Sequence, residues 1–214
     1  MYEVRIDDLP EQVYRQLKDM ILNSELEPGQ KLVQEDLAAR LGVSRTPLLT
    51  AFRKLEKEML VELIPRRGAF VRKNTEDDLL HIFDIRLKIE PLAARDAAAR
   101  ITDEGRALIR EKHRLFADGV AVGDRIQYKR ADYDFHHAIM ELSGNPYLPI
   151  MLGSVNLVSI SNVSGLVTDP SVSLQGHEAI VAAICAGDAQ GAEDAMTRHL
   201  TLSRNKLLQH RGLL

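Results

Sequence analysis

Along this chain the spacing of apolar residues changes character twice. Between Leu37 and Phe52 they recur at helical intervals, over Leu60–Val71 they alternate, and beyond Thr75 the helical repeat takes over for good. Leu37, Ala38 and Leu41 give a short helix one apolar face, which Gly42 ends where a positive φ is cheap. Ser44 is placed as an N-cap, and Pro47 falls in the first turn of a second helix, where a missing N–H costs nothing. Ala51, Phe52, Leu55 and Met59 continue that helix at inward spacing, which leaves Arg45, Thr46 and Arg53 outside. Leu60–Ile64 then alternates apolar with polar, Ala69–Val71 can return beside it, and Pro65-Arg66-Arg67-Gly68 makes the turn. Helix, tight turn, helix and hairpin form a winged helix-turn-helix, which presents its second helix to a major groove.

The long helical stretch divides at its capping and turn residues. Thr75 caps a helix running towards Arg100, with Leu79, Leu80, Phe83, Leu87 and Ala94 inside. Thr102 caps a second, with Leu108, Ile109, Leu115 and Phe116 as its apolar positions. A third spans about Arg125 to Leu142 and stops at Ser143-Gly144-Asn145-Pro146. A fourth, from Pro146, is apolar on most faces and belongs at the centre of the bundle. The fifth covers about Val172 to Ala186, and Gly187-Asp188 turns the chain into a sixth that ends near His210. The expected fold is mainly α: a winged helix over 1–74 and an all-α, six-helix domain over 75–214, joined near Arg72–Glu76.

Composition narrows the function. At 214 residues the chain can bury a real core in one or two domains. No run of eighteen uncharged apolar residues reads as membrane-spanning, and MYEVRIDDLP does not read as a signal peptide. A single cysteine, Cys185, fits a reducing cytoplasm and a packed thiol. The net charge is −3, yet residues 45 to 73 hold eight Lys/Arg against three Glu. An acidic chain with one basic stripe attracts double-stranded DNA through that stripe. Arg66 and Arg67, followed by Gly68, are placed to straddle phosphates or probe a minor groove.

A second constellation is chemical. Asp132 and His136 are four residues apart and project from one face of the third helix, about 6 Å from one another. His177 and His199 flank the Gly187 turn, so an antiparallel pair of helices sets them level, roughly 15–18 Å from that turn. Three imidazoles and a carboxylate inside a helical bundle suit a divalent transition metal, Zn²⁺ first and Ni²⁺ or Mn²⁺ as alternatives. Taken singly, an i, i+4 Asp–His pair is common and a histidine near a helix end often serves as a cap. His81, His113, His137 and His210 are read as surface or packing residues. No general base or oxyanion donor accompanies the cluster, so a metal-dependent hydrolase is the weakest reading.

Two stretches carry a family resemblance. LAARLGVSRTP followed by LEKEMLVELIPRRGAFV resembles the winged helix of the GntR family of bacterial transcription regulators, and VYRQLKDMILNSELEPGQKL resembles that family's first helix and the turn after it. The resemblance implies that Arg45 and Thr46 start the recognition helix, that Arg53 lies along it, and that Arg66, Arg67 and Gly68 form the wing tip. The chain departs from the family at Leu49, where an arginine is usual, and at Met59, where a glycine is expected before the wing. ADYDFHHAIMELSGNPYL and HEAIVAAICAGDAQGAEDAMTRHL resemble the FCD ligand-binding domain of the FadR subfamily, in its shorter, VanR-like branch. Metal-binding members of that domain imply Asp132, His136, His177 and His199 as ligands. They also imply Arg86 as a residue facing the effector, although an i, i+4 pair with Glu90 is an equal reading. Arg86 would suit a carboxylate effector, and Ser154–Val163, which lacks the arginines common in relatives, favours one smaller or more apolar than a polyanion such as citrate. The resemblance therefore implies a homodimeric, effector-controlled repressor rather than an enzyme. A direct metal sensor is the alternative.

Overall fold

Helix α1 (Leu9–Leu22) forms where Val13, Tyr14, Leu17, Met20 and Ile21 recur three and four apart, and all five are buried. It packs on α3 (Arg45–Lys57), which contributes Leu48, Ala51, Phe52 and Leu55. Between them α2 (Gln34–Leu41) stops at Gly42, whose φ of +66° is the left-handed conformation a helix end needs. Ser44 occupies the N-cap position of α3 in extended backbone, but its side chain makes no capping bond. The computed structural model describes residues 9–151 and 169–210, and its contacts divide it into units Met1–Asn74 and Thr75–Leu214.

The sheet of the first unit has three antiparallel strands in the order β1-β3-β2: β1 (Lys31–Leu32), β2 (Val61–Ile64) and β3 (Gly68–Val71). Its register sets Leu32 against Ala69 and Val61 against Val71, all four buried. At the tip Arg67 N–H donates to the Ile64 carbonyl at 3.1 Å, with Pro65 leading and Arg66 at a φ of +63°. Proline followed by a positive φ is the pattern of a type II turn.

One inward position was assigned wrongly by periodicity. Met59 does not continue the buried face of α3, because the helix ends at Lys57. Met59 is 44% exposed at a φ of +59°, and Leu60 turns inward instead. The left-handed conformation costs a side-chain-bearing residue about 1–2 kcal/mol, which explains why a glycine is expected there. Met59→Gly should accordingly stabilise the first unit by about 0.5–1 kcal/mol after glycine's own entropy cost. A urea midpoint that stays put or falls would show that the backbone at 59 is not strained.

In the second unit, α4 (Glu76–Ala99) opens with a reciprocal capping box. The Asp78 N–H donates to Thr75 Oγ1 at 3.1 Å, and the Thr75 N–H donates to Asp78 Oδ2 at 2.9 Å. Thr102 caps α5 (Asp103–Val122), Asp124 caps α6 (Arg125–Leu142), and Asp169 caps α7 (Pro170–Ala186). Gly187, at a φ of +73°, ends α7 and leads into α8 (Ala189–His210). Residues 147–151 are helical. The rest of the expected fourth helix of the bundle, Ser154–Val163 included, lies outside the described residues.

Ala93, Ala94, Ala97 and Ala98 of α4 are buried in one core with Phe135, Ile139, Ile180, Ile184, Met196 and Leu200. Four small side chains on one face let α4 lie close against α8, its principal neighbour. The reading of α5 needs correction. Ile109 and Phe116 are buried, whereas Leu108 and Leu115 are 38% and 36% exposed. Neighbours in sequence point about 100° apart, so only one seven-residue series can face the core. No described helix is long and apolar enough to cross a membrane.

Candidate metal centre and nucleic-acid interface

Helices α6, α7 and α8 each bring one histidine to a single point in the second unit. His136 comes from α6, His177 from α7 and His199 from α8, with exposures of 1%, 0% and 7%. Ring centroids are 5.2 Å apart for His136–His177, 5.3 Å for His136–His199 and 4.7 Å for His177–His199. One nitrogen from each lies within 4.8 Å of the other two. The arrangement follows from local geometry: Gly187 folds α7 back on α8, and His177 and His199 stand ten and twelve residues from it. Asp132, one turn before His136, places Oδ1 3.4 Å from His177 Nε2 and 3.9 Å from His136 Nε2.

Electrostatics leave these rings ready to act as ligands. Both nitrogens of His136 and of His177 are buried without a well-aligned hydrogen bond. Such groups cost about 1–3 kcal/mol each unless something satisfies them. Burial lowers the His177 pKa well below its ordinary value, aided by the His199 and His136 charges, and lowers that of His199 to about 3. Both are therefore neutral at physiological pH, with a lone pair free. Burial pushes the Asp132 carboxyl upward, opposed by His136 and Arg86, and its partial exposure tempers that push. Orphaned imidazole nitrogens beside a carboxylate are the donor set that a Zn²⁺-type ion takes.

These depressed pKa values have a consequence for stability. The unfolded chain protonates His177 and His199 near 6.5, while the folded chain resists protonation until about 3 in the case of His199. Metal-free protein should therefore keep this contribution above pH 6.5 and lose it progressively as pH falls towards 3. The unfolding midpoint of wild type should fall relative to that of His199→Leu over that window. Parallel curves would exclude the linkage.

Glu90 is the residue that reading the sequence understated. It is fully buried on α4, with Oε2 2.6 Å from His136 Nδ1, a close contact without straight hydrogen-bond geometry. Its other oxygen takes the Nε of Arg86, itself only 7% exposed. Burial alone would raise the Glu90 carboxyl, but Arg86 and His136 outweigh it and hold it low. Arg86 is thus paired within α4, as the i, i+4 alternative had it, and lies close enough to influence Asp132 and His199 electrostatically. Gly176 was also missed: a Cβ there would stand 2.5 Å from His199 Nδ1. Phe116 and Phe135 enclose His177, with ring centroids at 4.5 Å and 4.2 Å. Of the other histidines, His81 and His210 are exposed, and His113 and His137 are half-buried outside the triad.

On the first unit, Arg45, Thr46 and Arg53 all lie on the exposed face of α3. Leu49 and Thr50 share that face. Arg45 pairs with Glu35 of α2 at 2.7 Å, an exposed contact worth little and easily exchanged. Arg66, Arg67 and Gly68 are exposed at the hairpin tip, with the Arg67 guanidinium 5.6 Å from the Phe70 ring centre.

Comparison with known proteins matches both units. Residues 9–71 match the bacterial regulatory proteins of the gntR family, and residues 81–202 match the FCD domain. The HTH-type transcriptional repressor RspR of Escherichia coli K12 is 28% identical over 200 residues, 89% of this chain and 85% of that protein. YdhC of Bacillus subtilis 168, an HTH-type transcriptional regulator, is 30% identical over 146 residues, 68% of this chain and 65% of YdhC. A GntR regulator from Rhodococcus sp. RHA1 has the same fold at a TM-score of 0.82 and 26% identity, covering 94% of this chain and 97% of that one. All three are described as transcription regulators.

Proposed function

Since the chain belongs to the gntR family of bacterial regulatory proteins and carries its FCD domain, we propose that it is a homodimeric repressor controlled by a small carboxylate bound beside a divalent metal. Repression is inferred from RspR, and two winged helices in a symmetric dimer would read a pseudo-palindromic operator. The observation that carries the metal assignment is the convergence of three buried histidines, two of which, His136 and His177, have both ring nitrogens without a well-aligned hydrogen bond. Asp132, His136, His177 and His199 would hold the ion, with Zn²⁺ the best match to nitrogen-rich ligands. A divalent cation would supply a positive, Lewis-acidic seat for an anionic oxygen.

The fixed charges around the triad favour an anion. Arg86 and Glu90 cancel, and Asp132 contributes a carboxylate beside the neutral His177 and His199, so a divalent ion makes the centre net positive. Burial strengthens any charge contact made there. The test compares metal-loaded with metal-stripped, still-folded protein against a panel of small carboxylates. One of them should release DNA from the loaded form only. Equal release from both forms would reduce the metal to a structural staple.

DNA binding is assigned to Arg45, Thr46, Arg53 and the Arg66–Gly68 wing. Arg45→Ala should weaken operator binding by about 1–3 kcal/mol if the guanidinium reads a base. Arg66→Ala should mainly lower the slope of affinity against salt, by about one counterion. Mobility shifts across a salt series separate the two effects. Undiminished binding by Arg45→Ala would remove that residue from the reading set.

A further inference from the structure

We propose that Leu49 reads the 5-methyl group of a thymine in each operator half-site, which makes an apolar contact a specificity determinant of this regulator. The inference rests on the DNA-binding assignment of α3. Leu49 is 42% exposed in the middle of a face whose other members are Arg45, Thr46, Thr50 and Arg53. It also lines a groove with Phe52, Leu63, Ile64 and Pro65, which reaches Arg66 at the wing tip. An exposed leucine in an apolar groove usually signals a protein partner, but the charge around this one argues otherwise. Arg45, Arg53, Arg66 and Arg67 all lie exposed on the same helix face or the wing tip. A surface fringed by guanidinium groups suits a polyanion, and the one bulky apolar group that a DNA major groove offers is the thymine methyl.

Neighbouring groups leave the task to Leu49. The Thr50 hydroxyl is turned back to the Thr46 carbonyl at 3.3 Å, so its donor is engaged within the helix. Arg45 and Arg53 stand one turn before and one turn after Leu49, about 6 Å away along the axis. That is close to two base-pair steps of about 3.4 Å. The thymine should therefore lie within about two base pairs of the positions that the arginines read.

The experiment selects an operator from a random duplex pool with the full-length protein, then replaces each thymine singly by uracil, which deletes only the methyl group. Wild type should lose about threefold to tenfold in affinity at one thymine per half-site. Leu49→Ala should bind the parent operator with a similar loss and be indifferent to uracil at that position. The proposal is overturned if no uracil substitution changes affinity twofold, or if Leu49→Ala retains the thymine dependence. It is equally overturned if Leu49→Ala alters self-association while operator binding is untouched, since the groove would then be a protein contact. A pool that yields no enriched sequence would overturn DNA binding by α3 itself, a result distinct from the others.

Discussion

Glu90→Ala should destabilise the helical domain by about 3–5 kcal/mol, the usual cost of removing one partner from a buried ion pair. The change would strand Arg86, which is 7% exposed, and deprive His136 of the carboxylate at its Nδ1. A double variant, Arg86→Met with Glu90→Leu, removes both charges while keeping volume, and should lose far less. Urea unfolding of the two proteins measures the difference. A single variant that costs under about 1 kcal/mol would mean that solvent reaches the pair and that Glu90 does not organise the centre.

Saturating Zn²⁺ should raise the stability of the metal-free protein by about 4 kcal/mol at a free concentration near a thousand times Kd. For a chain of this size that corresponds to roughly 10 °C in unfolding temperature. His177→Ala and His199→Ala should show almost none of this gain, because each removes a ligand no other described residue replaces. Gly176→Ala should show a reduced gain, since its new Cβ would displace the His199 ring without deleting a ligand. A full Zn²⁺ shift in both histidine variants would place the ion elsewhere.

What was legible in the sequence was local. Thr75, Gly42 and Gly187 announce helix ends through backbone conformations that depend on their own residue type. Asp132 and His136 share a face by helical arithmetic alone. His177 and His199 meet because a single tight turn lies between them. What was not legible depends on packing. Leu108 and Ile109 are equally apolar in sequence, and only the neighbouring helices decide which of them faces in. Met59 matches the helical period, but the chain leaves the helix before reaching it. Strand β1 has two residues, too few to show any period. Glu90 looks like an ordinary partner for Arg86 until α6 brings His136 against it. Gly176 carries no signal at all until His199 packs over it.

The proposed binding of one divalent ion by Asp132, His136, His177 and His199 is tested most directly by counting metal. Protein purified without chelator, equilibrated with Zn²⁺ and freed of excess, should carry one ion per chain by elemental analysis. His177→Ala, treated identically and shown by circular dichroism to be folded, should carry essentially none. One ion per chain in that folded variant, or none in the wild type, would contradict the account.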